Sequence, residues 1–331
     1  MRQRRKIKCI DSVLLIASII SIVLIGCKVN PDSLKVNNDI NTTDRDVINS
    51  KINIIKKAIL RKESSKILEL YDASNANNLR RLSIDSLVTK VDLDSLFQDK
   101  QVLEIRTTVD NVVGIVESKF EDDDFEFNII KLKNDGYTKL IAIKDQSNKN
   151  EWLITAVFEK NKSDWGLLFV TSKYIKADGL SAIDAYEISK AFQRKNNSIA
   201  AVYYAMLSVR LLYPCLDYFH YVKEDSVLQY AKSIISSIKS IYEFPLEIRN
   251  LNSISSIITF EPEVLNGELQ VLVVLNSPTD LSDNSLLDIE VNEIHKKINT
   301  LLPGISDIGK KMHYRVVSNS DKLKYKDFVR Q

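Results

Sequence analysis

Only six side chains in this 331-residue chain are soft ligands or ready nucleophiles: Cys9, Cys27 and Cys215, and His220, His295 and His313. The histidines are scattered. No His-x-x-x-His or Cys–His grouping gives the ligand spacing that zinc requires, and His295, beside Lys296 and Lys297, is expected to face solvent. Cys215 follows Pro214 among aromatic residues, a setting that raises a thiol pKa and makes it inert. Glu121, Asp122, Asp123, Asp124 and Glu126 concentrate negative charge. A calcium loop alternates its oxygen ligands around a mid-loop Gly and ends on a Glu; that spacing is missing, so the cluster reads as a solvated turn. The carboxylates open to acid–base chemistry are Asp110, Glu126 and Glu151, on or beside expected strands. No nucleophile elbow, Walker loop or dinucleotide fingerprint occurs. Neither a metal nor a cofactor is expected.

Aromatic side chains crowd another region: Tyr203, Tyr204, Tyr213, Tyr218, Phe219, Tyr221 and Tyr230. Rings give large contact area and stack on sugars or partner side chains, so Tyr204, Tyr213, Tyr218, Phe219 and Tyr221 form a possible binding surface. The competing reading is that they wedge a helical hairpin against its neighbours.

The chain opens with Arg2, Arg4, Arg5, Lys6 and Lys8, continues with the uncharged apolar run Val13–Ile25, and reaches Gly26-Cys27. That order is the grammar of a secretory signal. The run is short of the roughly 20 apolar residues that a spanning helix needs. Leu24-Ile25-Gly26-Cys27 resembles the lipobox of bacterial lipoproteins. The resemblance implies that residues 1–26 are a signal peptide, that Cys27 is acylated and heads the mature chain, and that its lipid inserts in a membrane. Lys28 rather than Asp after that Cys leans toward the outer membrane over the inner. Cys215 is then the one free thiol, and no intramolecular disulfide can form. Removing residues 1–26 takes away five basic residues and one acidic residue, shifting the formal charge from +2 to −2. A near-neutral body excludes nucleic acid as the expected partner.

These residues must be positioned by an α+β body. Residues 27–46 are polar and read as a lipidated start and flexible tether. From Val47 to Leu70 apolar residues recur at helical spacing, with Asp46 as the expected N-cap and further helix within Asn78–Leu96. The period then falls toward two. Val102–Glu117, Phe125–Lys133, Thr138–Lys144, Glu151–Lys160 and Trp165–Lys173 read as strands, and Asn134-Asp135-Gly136 as a hairpin turn. Helices followed by an antiparallel meander over residues 47–176 resemble the NTF2-like superfamily in element order. That implies a helix-plus-antiparallel-sheet cone with a pocket lined by Val112, Ile130, Ile141, Ile154 and Phe169.

Residues 177–244 read as a helical connector: Ser181–Lys195, Ser198–Tyr213 and Glu224–Tyr242, broken at Asn196-Asn197 and Pro214. Residues 245–331 read as a small α+β sandwich. Ser256–Phe260 and Glu268–Leu275 are strands, Leu286–Leu302 a helix, Met312–Ser318 a last strand, and a Lys-rich tail follows. The expected function is non-enzymatic: a lipid-anchored envelope protein that binds or scaffolds another envelope component. A small-ligand binder using the cone pocket is the alternative, and a hydrolase acting in that pocket a third.

Overall fold

In the computed structural model, described residues are 33–71, 78–91, 97–108, 114–130, 132–144, 149–162, 164–248, 255–318 and 324–330. Cys27, the lipobox residues Leu24, Ile25 and Gly26, and also Asp110 and Val112, lie outside them. The body is α+β, built on two five-stranded sheets and one three-stranded sheet.

The first sheet has the order β1-β2-β5-β6-β7, all antiparallel. Its strands are β1 (Leu34–Val36), β2 (Gln98–Thr107), β5 (Gly136–Lys144), β6 (Glu151–Asn161) and β7 (Asp164–Lys176). Helices α1 (Thr42–Arg61), α2 (Ser64–Leu68) and α3 (Asn78–Lys90) precede the meander. Ile48, Ile52, Ile55 and Ile59 recur at helical spacing on α1 and are all buried. They pack on Ile141, Ile143, Trp152, Ile154 and Phe158 of β5 and β6. Each such burial stabilises the fold by about 1.5–3 kcal/mol. The alternate residues Leu140, Ala142, Leu153 and Val157 belong to a second core on the other face. Both faces of β5 and β6 are therefore covered, and eight successive residues of each strand are buried.

Part of the expected tether takes up regular structure. Leu34–Val36 pairs with β2, and α1 begins at Thr42, capped by Asn41 rather than Asp46. Asp44 N donates to Asn41 Oδ1 at 2.8 Å, and Asn41 Nδ2 donates to Asp44 Oδ2 at 3.0 Å. The cause is a charge network. Arg45 reaches Glu104 at 3.0 Å, Lys139 reaches it at 2.5 Å, and Arg106 reaches Asp44 at 2.6 Å. Glu104 is wholly buried.

The expected Asn-Asp-Gly hairpin is also corrected. The strands before and after it are unpaired with each other: β5 joins the first sheet, while β3 (Ile115–Phe120) and β4 (Asp123–Asn128) form a separate hairpin. Gly136 serves packing instead, since a Cβ there would lie 2.4 Å from Leu132 Cδ1 and 2.7 Å from Thr107 Oγ1. Glu121 and Asp122, both exposed, form the β3–β4 turn. No metal-holding group of His, Cys, Asp and Glu occurs among the described residues.

The region 177–244 is a central layer rather than a connector. It contains α4 (Ala182–Arg194), α5 (Ser198–Leu211), β8 (Pro214–Asp217), β9 (Phe219–Tyr221) and α6 (Glu224–Ile241). Ser181 and Asp184 close a capping box on α4. Helix α5 is apolar all round, with Ile199, Val202, Tyr203, Tyr204, Leu207 and Leu211 buried, which is the signature of an interior helix. It packs against α4, α6, β7 and a strand of the second large sheet. Strand β9 pairs with β4, so residues 47–176 do not close on themselves.

The second large sheet has the order β10-β11-β12-β13-β14. Its strands are β10 (Leu246–Ile248), β11 (Ser255–Leu265), β12 (Glu268–Ser277), β13 (Met312–Ser318) and β14 (Tyr325–Arg330). Asn266 and Gly267, both at positive φ, turn β11 into β12. Helix α7 (Asn284–Leu301) carries the chain across to β13, which runs parallel to β12. The expected Lys-rich tail is strand β14, paired with β13. On α7, buried Glu290 accepts from Ser277 at 2.8 Å, Thr279 at 3.0 Å and Ser255. His295 is half-buried rather than solvent-facing, with Nδ1 2.9 Å from the Tyr314 hydroxyl.

Candidate binding groove along the edge of the first sheet

Strand β7 is the last strand of its sheet, and helices rather than another strand follow it in sequence. Its outer edge is bridged once, where Leu167 N donates to Leu70 O at 2.8 Å. Past that bridge no strand pairs with it among the described residues. Helix α3 lies beside one face of β7, and β8 and the end of α5 lie beside the other.

Between these walls runs a groove of about 1000 Å³. Six successive β7 residues, Phe169 to Tyr174, line it. The register sorts them. Val170, Ser172 and Tyr174 oppose Ala156, Ile154 and Trp152 and so face the α1–α3 side; Phe169, Thr171 and Lys173 face the central layer. Leu82 and Leu87 of α3 close one wall, and Leu216 of β8 the other. Leu82 and Leu216 are 66% and 49% exposed, unusually high for leucine beside a concave surface. The Trp152 and Tyr174 rings pack at a tilt at one end, with centroids 3.8 Å apart.

The charge of the lining has one sign. Lys90, Lys173 and Arg210 reach the groove, and among the described residues no acidic side chain lines it. Lys90 and Lys173 are exposed and make no ion pair among the described residues. Arg210 donates to the Pro262 carbonyl and stands 3.5 Å from Glu261.

The side chains singled out from the sequence fall mostly elsewhere. Of the expected pocket, Phe169 lines the groove, while Ile130 and Ile154 are buried in opposite cores. Ile141 lines a smaller cleft of about 270 Å³ with Asn49, Lys56, Asp99 and Lys139. The aromatic surface is corrected: Tyr204, Phe219 and Tyr221 are buried, and Tyr213 and Tyr218 are half-buried against the same core. Phe219 stacks on Phe125 at 4.4 Å, which fixes β9 beside β4. Tyr213 donates to Glu224 at 2.8 Å.

The two described carboxylates expected from the sequence, Glu126 and Glu151, lie away from the groove. Glu151 is buried at the start of β6, where burial raises its carboxyl pKa against the pull of Lys176. Glu126 belongs to β4, and neither residue lines the groove. Burial pushes the Cys215 thiol up to about 11, despite a Thr155 hydrogen bond and nearby Lys173. Such a thiol is no thiolate nucleophile at neutral pH. Burial lowers the His220 pKa, but the Glu224 carboxylate, 2.9 Å from Nδ1, and the Asp217 carbonyl outweigh it and leave a net rise.

One local feature hints at the groove, a long strand followed by helices. The walls come from α3 and β8, far from β7 in the chain. No helix among the described residues is long and apolar enough to cross a membrane. No family model matches the chain, and no curated protein or solved structure matches it either.

Proposed function

We propose that this chain is a lipid-anchored envelope protein that holds another envelope component in the β7 groove, without chemical turnover. The observation that carries the binding role is the groove itself: mostly apolar in surface, with Lys90, Lys173 and Arg210 and, among the described residues, no acidic side chain. Its volume of about 1000 Å³ is at the upper end of ligand sites, which are concave and mostly apolar. The leader supports the anchoring, because Leu24-Ile25-Gly26-Cys27 supplies the acyl-accepting thiol after a basic and apolar run. Two or more acyl chains hold a protein stably where one does not.

A photo-crosslinking residue placed in the full-length chain tests this reading in cells. From positions 82 and 216 it should capture one or two discrete envelope components. From position 329, on the far sheet, it should capture none of them. Equal capture from all three positions, or none from the groove, would remove the groove from the function. Cys27→Ser should release the chain from the membrane fraction, and retention there would overturn the anchor.

The apolar lining favours a second reading, in which the occupant is a small anionic amphiphile rather than a protein segment. A copurifying lipid-like molecule identified by mass spectrometry would decide for it.

A further inference from the structure

We infer that the groove takes an extended, acidic peptide segment of a partner protein, which adds as a further strand to the edge of β7. The inference rests on the groove being the binding site and names its occupant. Three observations carry it together. The β7 edge beyond Leu167 has no paired strand among the described residues. An open edge of this kind presents alternate backbone N–H and C=O groups that an added strand satisfies. The groove follows that edge: its lining includes residues from both faces of β7. A side-chain pocket would fill from one face only. The free charge is all of one sign, since Lys90 and Lys173 lack ion pairs among the described residues.

The stretch from Leu168 to Lys173 spans about 20 Å at roughly 3.3 Å per residue, enough for a short strand. An added strand would point alternate side chains at the two walls. One set meets Leu82, Leu87 and Val170; the other meets Phe169 and Leu216. Apolar residues suit both walls, and carboxylates suit the places where the strand passes Lys90, Lys173 and Arg210.

The test uses the full-length chain in detergent micelles and a fluorescein-labelled decapeptide with a Val- and Ile-rich centre flanked by Glu, read by anisotropy. Two N-methylated forms carry the methyl groups on the two alternate sets of central amides. An added strand bonds through one edge only, so one form should lose affinity by about tenfold or more and the other should bind like the parent. A Lys-flanked peptide should bind at least about tenfold more weakly, and Lys90→Glu with Lys173→Glu should invert that preference. Thermal melting of that variant, at two exposed positions, should be unchanged. Equal binding of both methylated forms, or indifference to the flanking charge, overturns strand addition. Saturable binding of fluorescent stearate without peptide binding also overturns it, while leaving the groove as the binding site. Loss of the groove crosslinks described above would instead remove the groove reading itself.

Discussion

The two five-stranded sheets solve the same packing problem differently. The first is buried on both faces: α1–α3 cover one and the central layer the other, so β5 and β6 are lined by near-continuous apolar runs. Polar residues trapped there must find partners inside the protein. Glu104 does so through Arg45 and Lys139, and Asp44 through Arg106 and Trp165. The second sheet meets the core with the face that carries Val271, Val273, Leu275, Tyr314 and Val316. Its opposite face bears Glu261, Glu263, Arg315 and Asp327 beside buried Leu272, Gln270 and His313, and β14 alternates exposed and half-buried residues, so this face is only partly open to water. There Arg315 stands 3.0 Å from Asp327 and 3.7 Å from Glu263, within reach of water. Ion pairs thus do different jobs: in the first sheet they neutralise enclosed charge, in the second they decorate a surface.

That contrast can be broken by deletion. Glu104→Ala would leave Lys139 and Arg45 uncompensated inside the first sheet, a loss of about 3–5 kcal/mol. Glu263→Ala, on the partly open face, removes a carboxylate 3.7 Å from Arg315 and should cost less, about 1 kcal/mol. Urea unfolding of both variants gives the comparison, and equal costs would show that two-sided burial is irrelevant to these pairs. Gly136→Ala tests tightness at the start of β5. Its Cβ would meet the movable ends of the half-buried Leu132 and Thr107 side chains, so the cost should be about 1 kcal/mol, the low end of overpacking, measured as a lowered urea midpoint at constant slope.

The smallest effect concerns pH. Burial raises the Asp44 carboxyl pKa, but hydrogen bonds from Asn41 and Trp165 and the Arg106 charge outweigh it and hold the group below its ordinary value of 3.8. A carboxyl with a depressed folded pKa contributes stability above the unfolded value, and the contribution is lost as pH falls through the folded one. Asp327 is likewise held down, with Arg315 and His313 outweighing its burial. Asp44→Asn should therefore flatten acid destabilisation below the ordinary value of 3.8 more than Asp327→Asn does. Stability measured across that range by circular dichroism checks the order, and the reverse order would mean that the open-face pairs are the stronger.

Much of the local structure was legible. Helices at Ala182–Arg194, Glu224–Ile241 and Asn284–Leu301 follow from apolar spacing and stop signals, and Met312–Ser318 matches its expected strand. The Asn-Gly turn at 266–267 is what its residues imply. Other readings failed where the partner was distant. Asn134-Asp135-Gly136 has hairpin chemistry, yet β4 goes to β9 and β5 to β2 and β6, pairings that no local pattern encodes. Strand β14 hid in a Lys-rich stretch because only half of its side chains face the core. The aromatic cluster left surface and core both open from the sequence, because ring-rich segments serve both, and burial decides for the packing reading.

By itself the sequence determined the α+β class, the main helices and most strands. These depend on residue type and short-range spacing. The tertiary structure alone decided that α5 is interior, that charges around Glu104 are enclosed, and that the edge of β7 opens into a one-signed groove. Each of these depends on which elements, tens of residues apart, come to lie side by side, and long-range packing leaves no periodic mark in the chain.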